Sequence, residues 1–244
     1  QQPGLLTLRL QLQQHLVPEL VHRRRQLRHR LLLQRQHLRG QQVEVHRREL
    51  GWAAVAGSAA RNLSYLAAAF VPSSARFRNF RAVDGTWLDD GGSEDCQGRA
   101  LQALGETILL APDPALVATA RDLVIRALPA VRELSALRAR SSALLGLVAA
   151  VRGGLGGEAP ATLRTLAAGL AAAFGACDDP AWPWPEPVLT YENGLPAQAL
   201  VVAGDLLGDA TMLATGLRTL DWLLASQTAP AGHLSPVGNG WWPR

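Results

Sequence analysis

Two carboxylates stand out for the company they keep. Asp95 follows Ser93 and Glu94 at a helix-like start, and Glu192 sits between Tyr191 and Asn193. Two acids on opposite sides of a sugar can divide glycosidic work, one as general acid and the other as base or nucleophile. The residues around them suit the same ligand. One stretch carries Trp87, Asp89, Asp90, Glu94, Asp95 and Arg99. A second carries Trp182, Trp184, Glu186, Tyr191, Glu192 and Asn193, and a third His233, Asn239, Trp241 and Trp242. Aromatic faces stack on the apolar face of a sugar ring, while acids and amides hydrogen-bond its hydroxyls.

Plainer roles fit the same residues. Glu94 and Asp95 suit the positive end of a helix dipole, and Arg99 stands one turn after Asp95, the spacing of an ion pair. Trp182 and Trp184 lie between prolines, as packing plugs do. His233 stands alone.

The elements that must position these residues are helical. Apolar residues recur at three- and four-residue steps from residue 51 to Pro72. Residues 76–92 form a loop or short hairpin turning at Asp84 and Gly85. Ser93 caps a helix running to about Leu110. Asp113 and Pro114 open the next, expected to reach Leu128, and Pro129 is expected to start another running to Val151. Further helices are expected over 160–174, 194–207 and 209–226, the last two broken at Gly208. The fold class is therefore all-α: about seven helices stacked as hairpins. Longer loops recur after pairs of helices. If the hairpins close into a ring, those loops share one rim.

Composition divides the chain at residue 50. The 244 residues contain 24 basic residues, all arginine. Residues 1–50 hold ten arginines and three acids, a net +7, whereas residues 51–244 carry −3. The high isoelectric point thus belongs to one segment, built mainly of Leu, Gln, Arg and His. It fits a basic arm, a partner-binding helix, or a shifted or antisense reading of GC-rich DNA. It lacks the aromatics of single-strand binding, which disfavours nucleic acid as a partner. Its His22, His29, His37 and His46 lack metal-ligand spacing, so no metal site is expected. No glycine-rich phosphate loop follows a strand, so no cofactor is expected. The longest apolar run is too short for a bilayer. Cys96 and Cys177 read as free thiols of a cytoplasmic protein.

Three blocks, "FRNFRAVDGTWLDDGGSEDCQGRALQALGE", "VLTYENGLPAQALVVAG" and "GHLSPVGNGWWPR", resemble bacterial proteins with an α/α-toroid domain of the six-hairpin glycosidase type, often found beside glycosyltransferases. The first matches a pattern E-D-x-H-G-R at Glu94, Asp95, Gly98 and Arg99, with Gln97 in the histidine position. Gln102 stands where tryptophan is usual. The second matches at Tyr191, Glu192 and Asn193. The resemblance covers residues 51–244 and implies part of an (α/α)6-type toroid, incomplete as given, acting on or binding an oligosaccharide or polysaccharide. It implies Asp95 and Glu192 as the catalytic pair. Trp87, Asp89, Glu94, Arg99, Trp184, Tyr191, Asn193, His233, Asn239 and Trp241 are the expected substrate contacts. A non-catalytic sugar-binding or scaffold partner of a glycosyltransferase fits the same residues.

Overall fold

A computed structural model describes residues 51–237 and the backbone of Trp242–Pro243. The basic segment 1–50, Asn239 and Trp241 lie outside the described residues. The chain divides into two units, Gln1–Val55 and Ala56–Arg244, and the architecture below is that of the second. Seven helices make up 63% of the described residues, so the class is all-α. They are α1 (Trp52–Ala69), α2 (Glu94–Leu110), α3 (Pro114–Arg132), α4 (Leu137–Arg152), α5 (Ala159–Gly175), α6 (Gly194–Leu207) and α7 (Ala210–Ser226). Among the described residues no helix is long and apolar enough to cross a membrane.

The starts and stops follow local chemistry. The Ser93 hydroxyl accepts from the Cys96 N–H, Asp113 from Ala115, and Asp209 from Met212, each satisfying an orphan donor of a first turn. Gly208 ends α6 in the left-handed region at φ 68°. One expectation fails. Pro129 does not start a helix but lies inside α3, which runs to Arg132. Proline there loses the bond its N–H would give the Ile125 carbonyl and crowds the preceding turn, so the helix continues against a local cost. Neighbouring burial of Leu128, Ala130 and Val131 holds the final turn in place.

Glycines set the packing. A Cβ on Gly98 would lie 2.3 Å from the Ala139 carbonyl oxygen, and one on Gly105 only 1.9 Å from that of Gly146. The helices α2 and α4 therefore touch backbone to backbone. Gly98 meets Ala139, Gly105 meets Gly146 and Ile108 meets Gly153, so the two helices run parallel. Arg138 reaches Asn193 at one end of α4 and Arg152 reaches Asp205 at the other, which makes α6 parallel as well. These three helices form a row, and α3, α5 and α7 pack beside it. The middle helix is apolar almost all round: twelve of its sixteen residues are buried, the burial expected of a helix covered by neighbours on several sides.

The consequence is positional. The N-termini of α2, α4 and α6 come to one end of the row. Two short antiparallel pairings decorate it. β1 (Phe70–Val71) pairs with β2 (Arg76–Phe77), and β3 (Val188–Leu189) pairs with β4 (Trp242–Pro243). An isolated bridge between Arg81 and Trp87 makes the expected hairpin, with Gly85 at φ 92° in its turn.

Candidate functional site

At the start of α2 the acids separate into two kinds. The Glu94 carboxylate accepts from the Ser135 N–H at 2.8 Å, the Ser135 hydroxyl at 2.9 Å and the Ala136 N–H at 2.7 Å. It thus caps α4, whose own N-cap, Ala136, has no side-chain acceptor. Desolvation works against its charge, but these three donors prevail and hold the carboxyl below its ordinary range. Asp89 accepts from the backbone N–H groups of Asn79, Phe80 and Gly92, which pins the hairpin loop and lowers its carboxyl too.

Asp95 lies on the next position of the helix and turns elsewhere. Its Oδ2 lies 2.8 Å from Arg99 Nε, although that N–H is not aimed along a hydrogen bond. Its Oδ1 is buried without a hydrogen-bond partner. Arg99 also reaches across to Glu192, donating from its terminal nitrogen to Oε2 at 3.5 Å. One guanidinium therefore spans the two acids singled out by sequence, which lie 97 positions apart along the chain. All three side chains remain about one-third exposed.

The segment carrying Glu192 is tightly held. Arg138, only 7% exposed, projects from the first turn of α4. Its Nε donates to the Tyr191 carbonyl at 2.6 Å, and one terminal nitrogen donates to both Glu186 oxygens at 2.9 Å. The other donates to Asn193 Oδ1 at 3.1 Å. A cation in a first turn opposes the helix dipole, so it needs such partners. Asn193 closes the segment on itself: its Oδ1 accepts from the Thr190 N–H and its amide donates to the Thr190 carbonyl. Between these anchors Glu192 adopts φ 50°, a left-handed conformation unusual for a residue with a side chain. Outliers of this kind cost of order 1 kcal/mol and persist where surrounding contacts enforce them.

Tyr191 completes the group. Its ring lies 4.7 Å from the Arg138 guanidinium carbon, a cation–π contact, while the residue is 42% exposed. Partial burial raises its phenol pKa, and Asp95 and Glu192 add to the rise against the opposing charges of Arg138 and Arg99. The phenol therefore senses all four charged neighbours.

Several expected contacts are not in this cluster. Trp184 is a core residue at 3% exposure, packed edge-on against Phe174. An indole buried there has no face to offer a ligand. Trp87 stacks beside Tyr65 at 5.5 Å under Arg78 and Arg81, on the hairpin loop. Asp89 and Glu94 are occupied by backbone donors, as described. His233 is exposed on the segment after α7. The second and third loops do meet, through the pairing of Leu189 with Trp242. Gln97, in the position where the pattern has histidine, is buried and clamps the hairpin loop: its amide accepts from the Phe77 N–H and donates to the carbonyls of Phe77 and Gly91.

Burial, then the charges of Asp89 and Asp95, push the Cys96 thiol up to about 11, which disfavours its thiolate. Among the described residues no group of three or more His, Cys, Asp or Glu is arranged to hold a metal ion. Compared with models of known protein families and with curated proteins, the chain matches none.

Proposed function

We propose that the chain is a carbohydrate-active domain whose ligand site is the Asp95–Arg99–Glu192 cluster with Tyr191 beside it. The observation that carries this reading is the convergence of two acids on one arginine at the end of the row where three helices begin. The partly exposed carboxylates of Asp95 and Glu192 offer acceptors to a ligand hydroxyl. The exposed Tyr191 ring offers the apolar contact. Asp95 and Glu192 are the candidate catalytic pair, brought together by a guanidinium that lies near both. The helical row, in this reading, is an arc of an α/α toroid, and the ligand is an oligosaccharide or polysaccharide handled beside a glycosyltransferase.

A second reading has its own support. Arg99 compensates the charge of both acids, which suits hydroxyl acceptors better than a proton donor. The domain would then bind sugar without cleaving it. The test is a panel of soluble oligosaccharides of glucose, galactose, mannose and N-acetylglucosamine, assayed for binding and for cleavage. Parent protein and the variants Asp95→Asn and Glu192→Gln are compared. Binding retained with turnover lost in the variants supports the catalytic pair. Binding without turnover in the parent supports the second reading. Binding and turnover both unchanged in folded variants reject the site.

A further inference from the structure

We propose that Arg138 is the positioning residue of this site: its guanidinium fork clamps residues 186–193 so that Glu192 is held in its left-handed conformation facing Arg99. The inference deepens the proposed function and rests on that reading for its consequence, though not for its geometry. Nothing in the sequence pattern of the site includes Arg138, which comes from a different helix.

The geometry is specific. Backbone torsion at Glu192 is defined by the peptide joining it to Tyr191, and Arg138 Nε bonds to that peptide's carbonyl at 2.6 Å. The residue on the other side, Asn193, is fixed by a terminal nitrogen of the same guanidinium. Glu186 receives the remaining terminal nitrogen with both oxygens, which orients the fork. A single planar group therefore grips the chain before and after the strained residue. A lysine's three donors radiate from a single nitrogen and cannot reach acceptors spread as widely as the arginine fork does. The Tyr191 ring stacked on the guanidinium is placed by the same contact. Glu192 at φ 50° would otherwise relax toward an ordinary conformation, carrying its carboxylate away from Arg99.

The segment supplies a readout that needs no ligand. The Thr190 N–H donates to Asn193 Oδ1 and the Leu195 N–H to the Glu192 carbonyl, so their amide hydrogen exchange reports how firmly the segment is held. Near neutral pH Arg138→Lys keeps a positive charge but removes the fork. The expected result is exchange at Thr190 and Leu195 about tenfold faster or more, with helical circular dichroism unchanged. Glu186→Gln, a milder change at a partly exposed side chain, should speed it by less. A folded Arg138→Lys protein with the parent's exchange overturns the proposal. If that variant does not fold, Glu186→Gln decides: faster exchange supports the clamp and unchanged exchange overturns it. Failure of every oligosaccharide to bind the parent protein would refute the proposed function while leaving the exchange result to judge the clamp.

Discussion

Glu94 and Glu192 are both glutamates beside helix starts, and both were candidates for the same work. Glu94 spends its carboxylate on three donors at the head of α4. Glu192 makes one long contact with an arginine and sits on strained backbone. Asp89 and Asp95 repeat the contrast on the first loop. An acid saturated by backbone N–H groups has its lone pairs committed and serves the fold. An acid held mainly by a side chain and still partly exposed keeps acceptor capacity for a ligand. Residue type and position at a helix start do not distinguish these cases; the partner does.

The largest expected break in this comparison is on the structural side. Gln97→Leu removes the amide that satisfies the Phe77 N–H in a buried site. It should cost about 1–3 kcal/mol, read as a lowered denaturation midpoint. Next comes Glu94→Ala, which uncaps α4. Because the carboxylate is only partly buried, we expect about 1 kcal/mol, measured by thermal unfolding. The same glutamate gives a pH signature. Its folded pKa is depressed, so its contribution is fully present above the ordinary carboxylate range and is lost as pH falls through that range to its folded value. Glu94→Gln should therefore flatten the acid side of a stability–pH profile.

The functional side should respond in the opposite sense. Glu192→Gly relieves the left-handed conformation and should raise stability by roughly 0.5–1 kcal/mol while removing the site's carboxylate. A loss of stability would mean that Glu192 is a structural residue after all. The smallest effect expected on folding is that of Asp95→Asn. Losing the charge of this partly exposed pair with Arg99 should change unfolding stability by no more than about 0.5 kcal/mol.

Much of the fold was legible because helices announce themselves locally. Ser93, Asp113 and Gly208 mark their ends through hydrogen bonds and backbone conformations confined to a few residues. The Asp84–Gly85 turn was readable for the same reason. Pro129 misled because the burial that carries α3 past a locally unfavourable proline comes from other elements. The resemblance singled out Asp95 and Glu192, but nothing in the sequence marked Arg99 as the residue lying near both. Arg99 at one-turn spacing explained Asp95 alone, and its reach to Glu192 depends on how α6 lies beside α4. Arg138 was invisible because Arg138 and Arg140 look equivalent in sequence, although Arg140 merely bonds the Leu134 carbonyl. One signal was available: an arginine in the first turn of an otherwise apolar helix opposes the dipole and demands acidic partners. Trp184 takes the packing role that an indole between prolines also allows, and its neighbours in sequence do not distinguish a rim from a core.

The central claim is that Asp95 and Glu192, joined by Arg99, form a sugar-binding site. The most direct measurement is oligosaccharide affinity in the parent chain, Asp95→Asn and Glu192→Gln, with unfolding midpoints recorded on the same samples. The account predicts that the parent binds at least one sugar of the panel. Turnover is assayed on the same samples. Each variant should lose turnover of that sugar or, if the domain binds without cleaving, bind it at least about tenfold more weakly, with near-parental stability. Equal affinity and equal turnover in all three folded proteins would contradict it.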